Sequence, residues 1–556
     1  MAVGPLNFLE KQSDQVLCVI EVAMNDQLDI SIYGPVYDGD GNPANLLTVG
    51  IKDGVITYVG DEDRRGKTHI DATNFVVSPG FIDVHTHSDL SLLLDGRGQS
   101  KVFQGVTTEV TGNCSFSAFP INPDFLDLHK DFLAGIGDDS IDVHWVDLDG
   151  YREAVHRSGI AINIAPLVGH GTLRIAAMGV REDLATEADQ ARMDDLLARM
   201  LDQGAFGMST GLTYVPSRYA SFEELKSLCK VLYARDRIYT SHARDYDILG
   251  DDQFLGPLKE AFALARESGV RVQFSHAAIN DPTLWGRAGT WVDFFESSLQ
   301  ENLDAAFDVY PYDASSSALT QYLPAWVQEG GVESMRSRLS NTETMERAEA
   351  ELAQGWSAHK IPWFWDRVVL ARTEGLLSLN AGETIKVAAE RLGMTPEKLV
   401  LELCKLGGNG VMVVLFYRTE EDMRTFARSE NSMICSDGSA IPFDQQGRLP
   451  HPRSFGASVR AVAHLVRDLG DMPLERAIYK MTGMASKHFQ INDRGTIEVG
   501  KAADITIFDP IRVKDLATFL NPAQAPQGVE CVIVNGEIVI RQGIQTEARP
   551  GRVLHS

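Results

Sequence analysis

Val76-Val-Ser-Pro-Gly-Phe-Ile-Asp-Val-His-Thr-His87 is the stretch whose reading decides the fold. Its apolar residues, Val76, Val77, Phe81, Ile82 and Val84, make a strand, and side chains two apart on a strand share a face. His85 and His87 therefore present two imidazoles together at the strand's C-terminal end. Parallel α/β barrels carry their sites at that end. Two converging imidazoles suit a zinc-class metal, with a pair of packed histidines as the plainer alternative.

The pattern recurs along the chain. Thr107-Thr-Glu-Val-Thr-Gly-Asn-Cys114 ends in a thiol, Tyr239-Thr-Ser-His242 and Val270-Arg-Val-Gln-Phe-Ser-His276 end in imidazoles, and Ser432-Met-Ile-Cys-Ser-Asp437 ends in a carboxylate. With His87, His170, Phe206-Gly-Met-Ser-Thr-Gly211 and Phe307-Asp-Val-Tyr-Pro-Tyr312, these make eight strand ends. Helical runs such as Glu187 to Leu201 and Ser221 to Tyr233 separate them, which predicts an α/β protein with a (β/α)8 barrel over about 79–484.

The ends of the chain read differently. Leu28-Asp-Ile-Ser-Ile-Tyr33 and Leu47 to Gly60 alternate as strands, with Lys52-Asp-Gly54 as a hairpin turn. Ala503 to Phe508 and Glu530 to Ile540 mirror them, with Asn535-Gly536 as the turn. A small β-sandwich domain assembled from 28–78 and 485–556 is expected, preceded by an extension over 1–27. Tyr312 and Asp437 are too far apart for one βα unit. An inserted subdomain is expected there, at about 323–381, between strands seven and eight. Trp326, Trp356, Trp363 and Trp365 lie in it and are read as its own small core, with an aromatic lid over a substrate as the alternative.

Of the 556 residues, 44% are hydrophobic and 23% charged, as in globular proteins. A net charge of -26 argues against nucleic acid and anionic membranes as partners. No apolar run is long enough to span a bilayer, and the first residues lack a basic region followed by an apolar core, so no signal peptide is expected. The six cysteines have no paired spacing, which fits reduced thiols in a cytoplasmic enzyme.

With these pieces in order the chain resembles the amidohydrolase superfamily, and within it the D-aminoacylase (N-acyl-D-amino-acid deacylase) family. The resemblance runs over about 28–556 and rests on Pro79 to His87, Gly105 to Cys114, Leu167-Val-Gly-His-Gly-Thr-Leu-Arg174, Gly207-Met-Ser-Thr-Gly-Leu-Thr-Tyr214, Ser241-His-Ala-Arg-Asp245, Asp308 to Ser315, Ser436-Asp-Gly438 with Pro450-His-Pro-Arg453, and Asp493 to Asp504. Many amidohydrolases bridge two metals with a carboxylated lysine on the fourth strand; Phe206 to Gly211 holds none. D-aminoacylases use a cysteine after the second strand, where Cys114 stands. The resemblance implies one tightly bound zinc on Cys114, His242 and His276, and a second, weaker site on His85, His87 and Cys114. It also makes Asp437 the group that takes a proton from water and returns it to the departing amine. The implied substrate is a small N-acyl amide, and whether the chain forms a homo-oligomer is left open.

Three departures bear on specificity. Where the family has a lysine that helps hold the substrate carboxylate, this chain has Ala278; the glutamate after Arg244-Asp is replaced by Tyr246; and the segment from Asp437 to Arg453 is several residues longer than usual. Arg453 remains as the carboxylate binder, and His170, Tyr214, Tyr312 and Ser317 are candidate pocket residues by position. Asp313 would repel an anionic substrate if it faced the pocket. The expectation is weakened recognition of a free carboxylate and better use of bulkier or neutral amides. Two other readings stay open: a cyclic amide or urea hydrolase, against which the missing lysine counts, and a non-enzymatic scaffold, against which the retained histidines count.

Overall fold

Gly80 is where the chain leaves one sheet for another. In the computed structural model, which describes residues 27–136, 142–244, 253–356 and 360–556, the residues before Gly80 pair with the C-terminal strands and those after it open a barrel. A Cβ on Gly80 would lie 2.2 Å from Thr107 Oγ1, so only glycine fits the crossing. Nearly all of the expected extension over 1–27, and Tyr246, lie outside the described residues.

Among the described residues the strands form three sheets. The terminal strands make one sheet of nine, in which Val76–Pro79 runs antiparallel to Ile505–Phe508. Both expected hairpin turns are present: Asp53 and Gly54, and Asn535 and Gly536, are all left-handed, as a two-residue hairpin loop requires. The sheet curls over a shared apolar cluster drawn from both ends of the chain, including Ile32, Val49, Ile56, Ile505 and Ile533. The curl brings the two turns together, since a Cβ on Gly54 would lie 2.9 Å from Asn535 O.

The second sheet holds eight parallel strands: Phe81–Asp83, Val106–Thr111, Asn163–Gly169, Gly207–Gly211, Ile238–His242, Arg271–Phe274, Ala305–Val309 and Ser432–Ile434. They are the eight that the sequence suggests. Their ring closes at the C-terminal rim, where Thr86 bridges Gly438, Asp437 N donates to His85 O over 2.9 Å and His87 N donates to Gly438 O over 3.0 Å. The flanking helices Glu187–Asp202 and Phe222–Tyr233 start where the sequence suggests, each capped by a hydroxyl, from Thr186 and Ser221.

Between barrel strands seven and eight, Ser315–Ala318, Met412–Leu415 and Val368–Arg372 form the third sheet. It packs with the helices Val332–Ser340, Thr342–Leu352, Ile385–Leu392 and Pro396–Gly407 around an apolar cluster reaching from Leu319 to Tyr417. This unit is wider than the anticipated 323–381. Its closing strand, Met412–Leu415, returns only after two amphipathic helices that read in sequence like barrel helices. Trp356 is buried in this cluster, Trp326, Trp363 and Trp365 pack on it, and Trp363 and Trp365 stack at 4.1 Å. Trp356 also borders the barrel's central cavity.

Lys101 staples the closure from beneath. Its buried ammonium reaches Asp83 on the first strand at 2.8 Å, Glu109 on the second at 3.1 Å and Ser436 beyond the last at 2.6 Å. Burial opposes its charge, but Asp83 and Glu109 outweigh that and hold the ammonium above its ordinary range. Removing one partner of a buried ion pair costs about 3–5 kcal/mol because the remaining charge is stranded. Lys101→Met should therefore lower unfolding stability by about that amount at pH 7. A loss under about 1 kcal/mol in denaturant titration would show that the carboxylates do not depend on it.

Candidate metal centre

The strand ends deliver their side chains to one point above the barrel. Cys114 Sγ lies 3.2 Å from His85 Nε2, 3.3 Å from His242 Nδ1 and 3.4 Å from His276 Nε2. His242 Nδ1 and His276 Nε2 are 3.0 Å apart. His87 Nε2 lies 3.1 Å from Asp437 Oδ1, which is 3.5 Å from His85 Nε2. Two groups of potential ligands result, His85, His87, Cys114 and Asp437, and Cys114, His242 and His276, with Cys114 in both.

The backbone is bent to achieve this. Cys114, His276 and Asp437 all have positive φ, at 52°, 35° and 50°. Such conformations cost non-glycine residues on the order of 1–3 kcal/mol each and persist only where the surroundings impose them. For Cys114 the turn is pinned by its neighbour Ser115, whose N–H donates to Ser209 Oγ over 3.1 Å and whose hydroxyl meets Ser217 Oγ at 2.7 Å.

Asp308, from the seventh strand, supports one imidazole and the backbone of a second histidine. Its Oδ1 lies 3.3 Å from His85 Nδ1 and accepts from His276 N over 2.7 Å, while its Oδ2 accepts from Gln273 Nε2 over 2.7 Å. His85 Nε2 is thereby turned toward Cys114. Thr213 Oγ1 meets His242 Nε2 at 3.1 Å, which leaves Nδ1 facing the cluster. Such outer partners fix ring orientation at metal sites.

Electrostatics favour ionised ligands. Burial opposes the Cys114 thiolate, but the imidazoles of His85, His242 and His276 outweigh it and hold the thiol well below its usual range. Burial also opposes the Asp437 carboxylate. Arg453 foremost, with His276 and His87, more than offsets this and holds the carboxyl well below the usual range. A tetrahedral zinc with bonds of about 2.0–2.3 Å places its ligand atoms roughly 3.3–3.8 Å apart. The S–N separations of 3.2–3.4 Å fall close to that spacing, so the donor set fits such an ion in both chemistry and size.

The cluster opens into a cavity of about 710 Å³, which Tyr214, Ser317, Arg453 and Ala278 line. Two of the anticipated pocket residues lie elsewhere. His170 is fully buried behind the rim, 2.9 Å from both Glu224 Oε1 and Ser217 Oγ. A helix, His170–Met178, begins at once after its strand and carries the ring toward Glu224 in the outer layer. Tyr312 packs outside the cavity, with its ring beneath the Arg460 guanidinium at 5.0 Å and edge-on to His451 at 5.4 Å. Strand alternation does not reach it, because Tyr312 N donates to Tyr310 O across Pro311 and the chain reverses there. Tyr310 lines the cavity instead. Asp313 is exposed and faces solvent, so it repels nothing in the pocket.

Arg453 is buried in the cavity wall. Its Nη1 donates to Asp437 Oδ2 over 2.6 Å and its Nη2 to Ser316 O over 3.3 Å. Sequence reasoning passed over Asp308, Thr213, Tyr310 and Arg418. Asp308 and Tyr310 stand in the run Asp308 to Ser315, where a carboxylate near the end of the seventh strand was the available signal. Arg418 gave none.

Fold and cluster together define a (β/α)8 barrel with a candidate metal centre that includes a thiol. A family model described as the amidohydrolase family matches residues 68–290 and 437–540. D-aminoacylase from Alcaligenes xylosoxydans xylosoxydans is 32% identical over 522 residues, 94% of this chain and 96% of that protein. A D-aminoacylase structure solved to define the role of its binuclear metal centre is 31% identical, with a TM-score of 0.78 over 95% of this chain and 100% of that one. The N-acyl-D-glutamate deacylase of Bordetella bronchiseptica, solved with zinc and a phosphonate mimic of the tetrahedral intermediate, is 29% identical with a TM-score of 0.79, covering 96% and 100%. The chain belongs to the amidohydrolase family, on its D-aminoacylase branch.

Loss of an outer partner typically costs 10- to 100-fold in metal affinity. Asp308→Ala frees the His85 ring and the His276 backbone, so its affinity for Zn2+, measured by competition with a chromogenic chelator, should fall by about that factor. An unchanged affinity would mean that packing alone orients the His85 ring.

Proposed function

We propose that the chain is a zinc-dependent deacylase of linear N-acyl-D-amino acids. The observation that carries this reading is one thiolate, Cys114, set 3.2–3.4 Å from three imidazoles, with the Asp437 carboxylate on the same rim. The relatives that share the arrangement of the chain end to end cleave N-acyl-D-amino acids by name. The fourth strand, Gly207–Gly211, carries no lysine, which weighs against the cyclic-amide reading.

The proposed division of labour gives Cys114, His242 and His276 the tightly held ion, and His85, His87 and Cys114 a second, weaker one. When bound, zinc supplies Lewis-acid polarisation of the scissile carbonyl and lowers the pKa of a water to about 7. Asp437 accepts a proton from the attacking water as the new C–O bond forms. It returns that proton to the amide nitrogen as the C–N bond breaks, so that a neutral amine departs. Arg453 keeps Asp437 ionised and ready for the first transfer. The cavity of about 710 Å³ accommodates an acyl group and side chain of some bulk. The described cysteines, Cys114, Cys229, Cys404, Cys435 and Cys531, are buried and unpaired, which supports a reducing compartment such as the cytoplasm. Among the described residues no helix is long and apolar enough to cross a membrane.

Purified protein should hold close to one zinc tightly, and chelation should abolish amide hydrolysis. Cys114→Ala, His242→Ala and His276→Ala should each strip the ion, as read by elemental analysis. Full activity in the chelated protein would end the proposal. Asp437→Asn should lower kcat by about 10²–10⁴ while zinc content stays near that of the parent protein. A kcat near normal would reduce Asp437 to a structural part.

A further inference from the structure

The cavity lacks a cation at 278, yet it is not short of positive charge. Arg418 lines it, as do Ala278, Asn280 and Tyr310. Its Nε donates to Asn280 Oδ1 over 2.8 Å and its Nη1 to the Tyr310 hydroxyl. Nη2 has no hydrogen-bond partner among the described residues, and no carboxylate there pairs with this guanidinium. Arg453 differs in that Asp437 already neutralises it at 2.6 Å.

Both guanidinium groups lie against one ring, their carbons 4.8 Å and 4.7 Å from the Tyr310 centroid. Arg418 comes from the return of the insertion to the barrel, between the strand Met412–Leu415 and the helix Glu420–Arg428. Its backbone is pinned on both sides. Tyr417 O accepts from Trp285 Nε1 over 3.2 Å, and the Thr419 side chain caps the helix by accepting from Asp422 N over 3.2 Å. The side chain is therefore presented by fixed elements, with its orientation set by Asn280 and Tyr310. Planar guanidinium is well matched to a carboxylate, and an unpaired one in a half-buried wall is a ready partner for it.

We infer that Arg418 binds the carboxylate of the N-acyl amino acid beside Tyr310, in place of the lysine missing at 278. This deepens the deacylase reading and rests on it. It replaces the expectation, drawn from Ala278 and Asp313, that this pocket disfavours carboxylates. Arg418 acts on specificity and takes no part in the proton transfers. Its partner is the end of the substrate remote from the scissile carbonyl.

The test compares N-acetyl-D-leucine with its uncharged analogue N-acetyl-D-leucinamide on the zinc-loaded enzyme. A charge-assisted contact corresponds to about one to two decades in binding. Arg418→Met, which keeps the stem packed on Tyr310, should lower the acid-to-amide ratio of kcat/KM by about 10- to 100-fold, mainly through KM. Adding Ala278→Lys to Arg418→Met should recover at least a tenfold share of that ratio. Ala278→Glu leaves the arginine in place and adds an opposing carboxylate to the lining of the same cavity, so it should lower the ratio too even if Arg418→Met does not fold. A parent enzyme that cleaves N-acetyl-D-leucine, with variants whose ratios stay within twofold, would overturn the role of Arg418 and leave the deacylase reading standing. A parent enzyme that cleaves neither compound would overturn both.

Discussion

Closure of the barrel between its first and last strands is the constraint on which everything else depends. The hydrogen bond from Asp437 N to His85 O, and that from His87 N to Gly438 O, put the eighth strand's carboxylate directly beside the first strand's imidazoles. Without that seam Asp437 and His87 would have no reason to meet, since 350 residues of chain separate them. The buried Lys101, bound to both adjacent strands and to Ser436, holds the seam from below. Gly80 holds it from the side by letting the terminal sheet feed its strand into the barrel in a single step.

Within that frame the site is costly to assemble, and its charges are what offset the cost. Four imidazoles, a thiol and a carboxylate are gathered at one point, most of them on the cavity wall, and three of the positions adopt left-handed backbone. Isolated, each buried charge would revert to its neutral form. Together they stabilise each other: the imidazoles hold the Cys114 thiol ionised, and Arg453 does the same for Asp437. Asp308 adds direction, because a carboxylate behind the His85 ring decides which of its nitrogens faces the cluster, and the same carboxylate accepts from the His276 backbone.

The insertion contributes more to the cavity wall than its place in the sequence suggests. Its tryptophans serve mainly its own core, with Trp356 alone of the four reaching the cavity edge. Its contribution to the pocket comes through the strand pair that returns it to the barrel, which brings Ser316 and Ser317 on the way out and Arg418 on the way back. Part of the cavity's charge is therefore supplied by a unit that lies outside the eight repeats.

Much of this was legible in the amino-acid order. Period-two alternation followed by His, Cys or Asp marks a strand and the face its last residues share, so His85, His87, Cys114, His242, His276 and Asp437 could be placed on one rim before any coordinates. Hairpin turns at Asp53-Gly54 and Asn535-Gly536 were legible for the same reason, since local chemistry dictates them. Local pattern failed where the chain turns out of its strand. Tyr312 reverses direction across Pro311, and His170 starts a helix whose neighbour Glu224 claims its ring. It failed again for Asp308's grip on two histidines and for Arg418, whose positions follow from contacts between segments far apart in sequence. The sequence by itself determined which side chains stand at the strand ends, because backbone geometry there repeats every two residues. Only the tertiary structure brought Arg418 into the cavity with them, because a guanidinium delivered by an insertion is placed by packing, and packing has no period to read.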